Sequence, residues 1–96
     1  MIWHTVTFKL KNNDAIFARE FLAEARKLAA IPGVQKFECL KQTSQKNHFE
    51  YGLSMEFVDQ PTYDAYNTHP DHVHFVQQIW IPNVEDFLEL DYVVID

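Results

Sequence analysis

The chain has a single cysteine, Cys39, in 96 residues, so no disulfide can close within it. Positive charge is also scarce. Eight Lys and Arg stand against fourteen Asp and Glu, a formal net charge of −6, and no segment gathers the basic residues together. Affinity for nucleic acid comes largely from neutralising phosphates, so this balance argues against nucleic acid and against an anionic membrane surface as partners. No run of about 18 apolar residues exists to span a bilayer. The first residues lead straight into Ile2-Trp3-His4-Thr5-Val6, without a basic region, an apolar stretch and a cleavage site. The expected address is the cytoplasm.

What is present is ordinary for a globular protein: 47% hydrophobic and 23% charged residues, which excludes disorder. A second domain would need roughly 50 further residues to bury its own core, so one domain over residues 1–96 is expected. Aromatics are abundant, with eight Phe, four Tyr and two Trp. Side chains of that size fill a core, line a pocket or seal a subunit interface.

Ile2 to Leu10 alternates, with Ile2, His4, Val6, Phe8 and Leu10 on one side and Trp3, Thr5, Thr7 and Lys9 on the other, which reads as a strand. Asn12 or Asn13 is placed to cap a helix from Asp14 to Ala30, where Phe17, Phe21, Leu22, Ala25 and Leu28 recur at helical spacing. Ile31-Pro32-Gly33-Val34 turns the chain into a second strand, Val34 to about Gln42, and a polar loop follows. A third strand runs from His48 to Val58 with Tyr51, Leu53, Met55 and Phe57 on one face. A second helical region, capped by Asp59 or Thr62, breaks at His69-Pro70 and ends near Pro82, and a last strand spans Phe87 to Ile95. The order β-α-β-β-α-β predicts a ferredoxin-like α+β fold. Helices cover one face of such a sheet. The other, carrying Trp3 and further apolar positions, is too apolar to stay wet, so the expectation is a homodimer packed sheet to sheet.

The stretch Tyr66-Asn67-Thr68-His69-Pro70-Asp71-His72-Val73-His74-Phe75 resembles the signature of the stress-responsive A/B barrel (Dabb) domain. The strand bearing His4, the Ile31–Val34 turn and the ending Asp91-Tyr92-Val93-Val94-Ile95-Asp96 agree with it. The resemblance implies a dimeric α+β barrel. The family includes plant polyketide cyclases in which a His acts as general acid/base and a Tyr orients the substrate. Those roles carry over to His72 and Tyr66, with His4 as another pocket histidine. Where a cyclase offers a further pocket His on the third strand, this chain is expected to place Tyr51, which cannot take up a proton near neutral pH.

An imidazole titrating near 6.5 suits proton transfer beside a carbonyl, work that contributes about 10² to 10⁴ in rate. The plainer alternative is that His69-Pro70-Asp71-His72 is a structural break, an imidazole satisfying a freed backbone group. A metal site is not expected, because His74 lies about 200° round a helix from His72 and no carboxylate completes a set. No cofactor is expected either. Phe21, His69 and Trp80 join His4 and Tyr51 as candidate ligand-binding residues, although Trp80 could simply pack the turn before Pro82. Cys39 reads as a small buried hydrophobe, and Glu85, Asp86, Glu89 and Asp91 as a solvated strand edge. Three readings stay open: a barrel binding a small polar-aromatic molecule between sheet and helices, a cyclase-like enzyme, and a structural stress protein without a ligand.

Overall fold

A computed structural model describes residues 1–96. Four strands, β1 (Ile2–Leu10), β2 (Gln35–Lys41), β3 (Tyr51–Phe57) and β4 (Val84–Tyr92), form an antiparallel sheet in the order β2-β3-β1-β4. This is the ferredoxin-like α+β arrangement expected from the element order. The helices α1 (Ala15–Arg26), α2 (Gln60–Thr68) and α3 (Pro70–Phe75) pack on one face. No helix is long and apolar enough to cross a membrane.

The alternation in β1 sets the core. Val6, Phe8 and Leu10 are buried beneath α1, and Leu53, Met55 and Phe57 continue the same face on β3. Helix α1 answers with Ala18, Phe21 and Ala25, one face of a helix at its natural period. Phe8 and Phe57 are fully excluded from solvent, and truncating either ring to alanine removes about 3–5 kcal/mol of stability.

Several boundaries differ from the sequence-based expectations. Asp14, not Asn12 or Asn13, caps α1: its carboxylate accepts from the Ile16 and Phe17 N–H groups, while Asn12 accepts from Asp14 N–H. Strand β4 starts at Val84 and ends at Tyr92 rather than running from Phe87 to Ile95. Its early start comes from pairing, since Leu10 faces Val84 and Lys11 N–H donates to Asn83 C=O at 2.9 Å. Acidic residues are tolerated there because β4 is an edge strand.

The turn into β2 needs Gly33, whose φ of +92° is unfavourable for a residue with a side chain. A Cβ there would also run into the Thr62 methyl. On the far side of the sheet Trp3, Leu40, Leu88, Leu90 and Tyr92 form an apolar stripe, each 41–49% exposed in the single chain. After α3 the backbone widens into a π-type turn over Val76–Trp80 and closes with a last helical turn, Ile81–Asn83.

Candidate functional site

A cavity of about 310 Å³ lies between the helix-side face of the sheet and the α2–α3 segment. Ten of its thirteen lining residues are hydrophobic, so its polar groups stand out. The other three are His4 on β1, Glu89 on β4 and His72 on α3, and Tyr66 on α2, counted among the ten, adds a hydroxyl. Trp80, at the end of the π-type turn, and Ile81, which opens the last helical turn, form part of the wall beside Phe87. Such wide turns recur at functional sites.

His4 is the one buried polar residue of the core. It stands directly across from Asp91 in the β1–β4 register, and its Nδ1 lies 2.6 Å from Asp91 Oδ1. The Tyr63 hydroxyl donates to Asp91 Oδ2 at 2.9 Å and lies 2.9 Å from His4 Nδ1. A carboxylate accepts only, so Nδ1 carries the proton and Nε2 is left as the free nitrogen. That nitrogen is 3.8 Å from Glu89 Oε1. Burial, then the Asp91 carboxylate, holds the Tyr63 phenol far above its ordinary value, and it remains a donor.

His72 is oriented from the other side. Helix α2 ends at Thr68, and His69 stands between the helices, its Nδ1 accepting from Asp71 N–H at 3.1 Å as the cap of α3. The break leaves the Asn67 carbonyl without a helical partner, and His72 Nδ1–H donates to it at 3.0 Å. Nε2 is again the nitrogen left to accept. The His72 ring packs on Tyr66, ring centres 4.5 Å apart. Burial lowers the His72 pKa below its usual 6.5, the Asn67 carbonyl opposes this, and the neighbouring His4 lowers it further. His72 is therefore a neutral base at pH 7. Tyr66 is nearly fully buried, and burial followed by the Glu89 charge keeps its phenol protonated.

Of the residues singled out from sequence, His4, Tyr66, His72 and Trp80 line the cavity together. Phe21, Tyr51 and His69 do not. Phe21 sits behind the wall, against Phe8, Phe75 and Trp80, and His69 is committed to the α3 cap. Tyr51 shares the inward face of β3 but lies four positions along from His4, packed on Phe8. The β3 residue opposite His4 is Met55. Sequence reasoning missed Tyr63, Glu89 and Asp91. One signal was available: in β4 the acids Glu89 and Asp91 share a side with Phe87, while Leu88, Leu90 and Tyr92 take the other. No group of three or more His, Cys, Asp or Glu is arranged to hold a metal ion.

The sequence and the fold both match those of known proteins. A family model for the stress responsive A/B barrel domain matches residues 2–94, and the protein belongs to that family, Dabb. Among solved structures it is similar to a Dabb family protein with a ferredoxin-like fold from Mesorhizobium loti. The two are 50% identical with a TM-score of 0.96, over 99% of this chain and 97% of the other. A dimeric ferredoxin-like protein from Thermobifida fusca shares the fold at 19% identity and TM-score 0.80, over 97% and 90% of the two chains. So does a hydroxynitrile lyase from Passiflora edulis, at 15% identity and TM-score 0.86, over 99% and 94%. No curated protein matches the chain.

Proposed function

We propose that the protein is a cytoplasmic homodimer, closed through the outer faces of its sheets, that binds a small polar-aromatic molecule in the cavity of each protomer. The observation that carries the binding role is the contrast inside the cavity. Apolar walls surround two imidazoles whose Nδ1 atoms are both engaged, by Asp91 and by the Asn67 carbonyl, so that each offers Nε2. A mostly apolar concavity with a few oriented polar groups is the usual form of a small-molecule site. The dimer is supported by the exposed stripe of Trp3, Leu40, Leu88, Leu90 and Tyr92, and by the dimeric description of the Thermobifida fusca protein. The single unpaired cysteine suits a reducing compartment.

A second reading, proton-transfer catalysis, is favoured by one specific observation: the His72 ring packs on Tyr66 with ring centres 4.5 Å apart, where burial lowers the imidazole pKa and raises that of the phenol. His72 Nε2 would take a proton from a carbon next to a carbonyl, and the Tyr66 hydroxyl would donate a hydrogen bond to the carbonyl oxygen as charge builds there. The Passiflora edulis enzyme adds that a fold of this kind carries an activity in another protein.

Native mass spectrometry of the purified protein tests both. A dimer carrying a small organic component supports the binding role, and denaturing analysis of the released molecule identifies a substrate to incubate with the wild type and with His72→Ala. Turnover lost in that variant, with the fold and the dimer intact, supports catalysis. A ligand bound but never converted supports binding alone. A dimer that carries nothing and takes up no aromatic probe would overturn the binding role and leave a structural one.

A further inference from the structure

The cavity has no positive side chain. Neither Lys nor Arg lines it, whereas Glu89 does. The register explains the imbalance: β4 turns Phe87, Glu89 and Asp91 toward the helices, and β1 opposite them offers Val6 and His4. Asp91 is occupied by His4 and Tyr63. The Glu89 carboxylate, about half exposed, has only its 3.8 Å approach to His4 Nε2. The polar groups of the lining are therefore mainly acceptors, His4 Nε2, His72 Nε2 and the Glu89 oxygens, with the Tyr66 hydroxyl as a donor.

A ligand must complement that set. A hydroxyl on an apolar body gives its proton to Glu89 or His72 and takes a hydrogen bond from Tyr66. A carboxylate or phosphate in the same place meets a like charge with no counter-charge and loses its hydration as well. We infer that Glu89 sets the charge selectivity of the cavity, admitting neutral hydroxylated molecules of phenol type and turning away those whose polar group is an anion. The inference rests on the proposed binding role and adds the class of ligand.

Two probes of matched shape test it, 4-propylphenol and 4-propylbenzoate, with dissociation constants measured by calorimetry near neutral pH on the wild type and on Glu89→Gln. The wild type is expected to prefer the phenol by about tenfold or more, a modest factor because a half-exposed carboxylate is partly screened. Glu89→Gln removes the charge, keeps an acceptor, and is expected to narrow the gap mainly by tighter benzoate binding. Added salt is expected to narrow the wild-type gap in the same direction, which gives a check that needs no variant. Equal affinity of the wild type for the two probes, or a gap unmoved by Glu89→Gln, overturns the selectivity while leaving the binding role standing. Failure of both probes to bind at millimolar concentration overturns the binding role, and the selectivity falls with it.

Discussion

Replacing Asp91 by alanine isolates what the β4 carboxylate does for the buried imidazole. Asp91 accepts from His4 Nδ1 at 2.6 Å and from the Tyr63 hydroxyl at 2.9 Å. Hydrogen bonds to a charged group each contribute about 1.5–3 kcal/mol when they are buried. Two effects reduce that sum. The Asp91 side chain is 41% exposed, so water replaces part of what is lost. The Tyr63 oxygen also lies 2.9 Å from Nδ1 and can accept its proton once the carboxylate is gone. The expected net loss is about 1–2 kcal/mol per protomer, at the lower end of the range for breaking a buried polar contact. Asp91→Asn keeps a carbonyl acceptor for Nδ1–H and an amide that Tyr63 can accept from, and its expected cost is below about 1 kcal/mol. Urea unfolding followed by circular dichroism measures both, at one fixed protomer concentration because association contributes to apparent stability. An alanine variant within about 0.5 kcal/mol of the wild type would refute the carboxylate's role in holding the ring, since surface changes away from such features cost that little. An asparagine variant as costly as alanine would show that charge, not acceptor geometry, matters.

Gly33→Ala is expected to cost about 2 kcal/mol or more in the same urea assay, combining positive-φ strain with the collision at the Thr62 methyl. Adding Thr62→Ser, which removes that methyl and keeps the hydroxyl on Asp59, should return part of the loss. His72 has a folded pKa below the ordinary 6.5, so the unfolded chain binds its proton more readily; its contribution is complete above that pH and is lost as pH falls toward the folded value. Unfolding midpoints measured from neutral pH downward should therefore decline less steeply in His72→Gln than in the wild type. Leu90→Asp puts a charge into the outer apolar stripe and should convert the dimer to monomers in sedimentation analysis; a dimer that persists at micromolar concentration would refute that face as the interface.

Much of the fold was legible because β1 and β3 alternate plainly and α1 keeps one apolar face, local patterns that survive without knowledge of neighbours. β4 was less legible. Its opening Val84-Glu85-Asp86 looks like a loop until Leu10 and Lys11 are known to pair there. Within the site, Tyr66 and His72 stood out through the resemblance to the family signature, and His4 also as a polar residue on an apolar strand face. Asp91 did not, because its meaning comes from a partner 87 positions away, and an acid near the end of an edge strand is ordinarily solvated. Tyr51 was misplaced for a related reason. Alternation tells which face of β3 a residue takes, and only the register tells that Met55, not Tyr51, stands opposite His4.

The interruption at His69-Pro70 has an evolutionary consequence. Six residues along an unbroken helix, Tyr66 and His72 would project about 120° apart. They meet because the extended backbone of His69, at φ −62° and ψ 136°, separates two short helices. Volume-conserving substitutions in the cavity wall can thus change which molecule fits, but the number of residues between Tyr66 and His72 is fixed by the joint. Gaining or losing one would swing a partner through about 100° and dissolve the pairing without altering any wall residue. Descendants of this protein can diverge in taste by substitution, while insertions and deletions across this joint are closed to them.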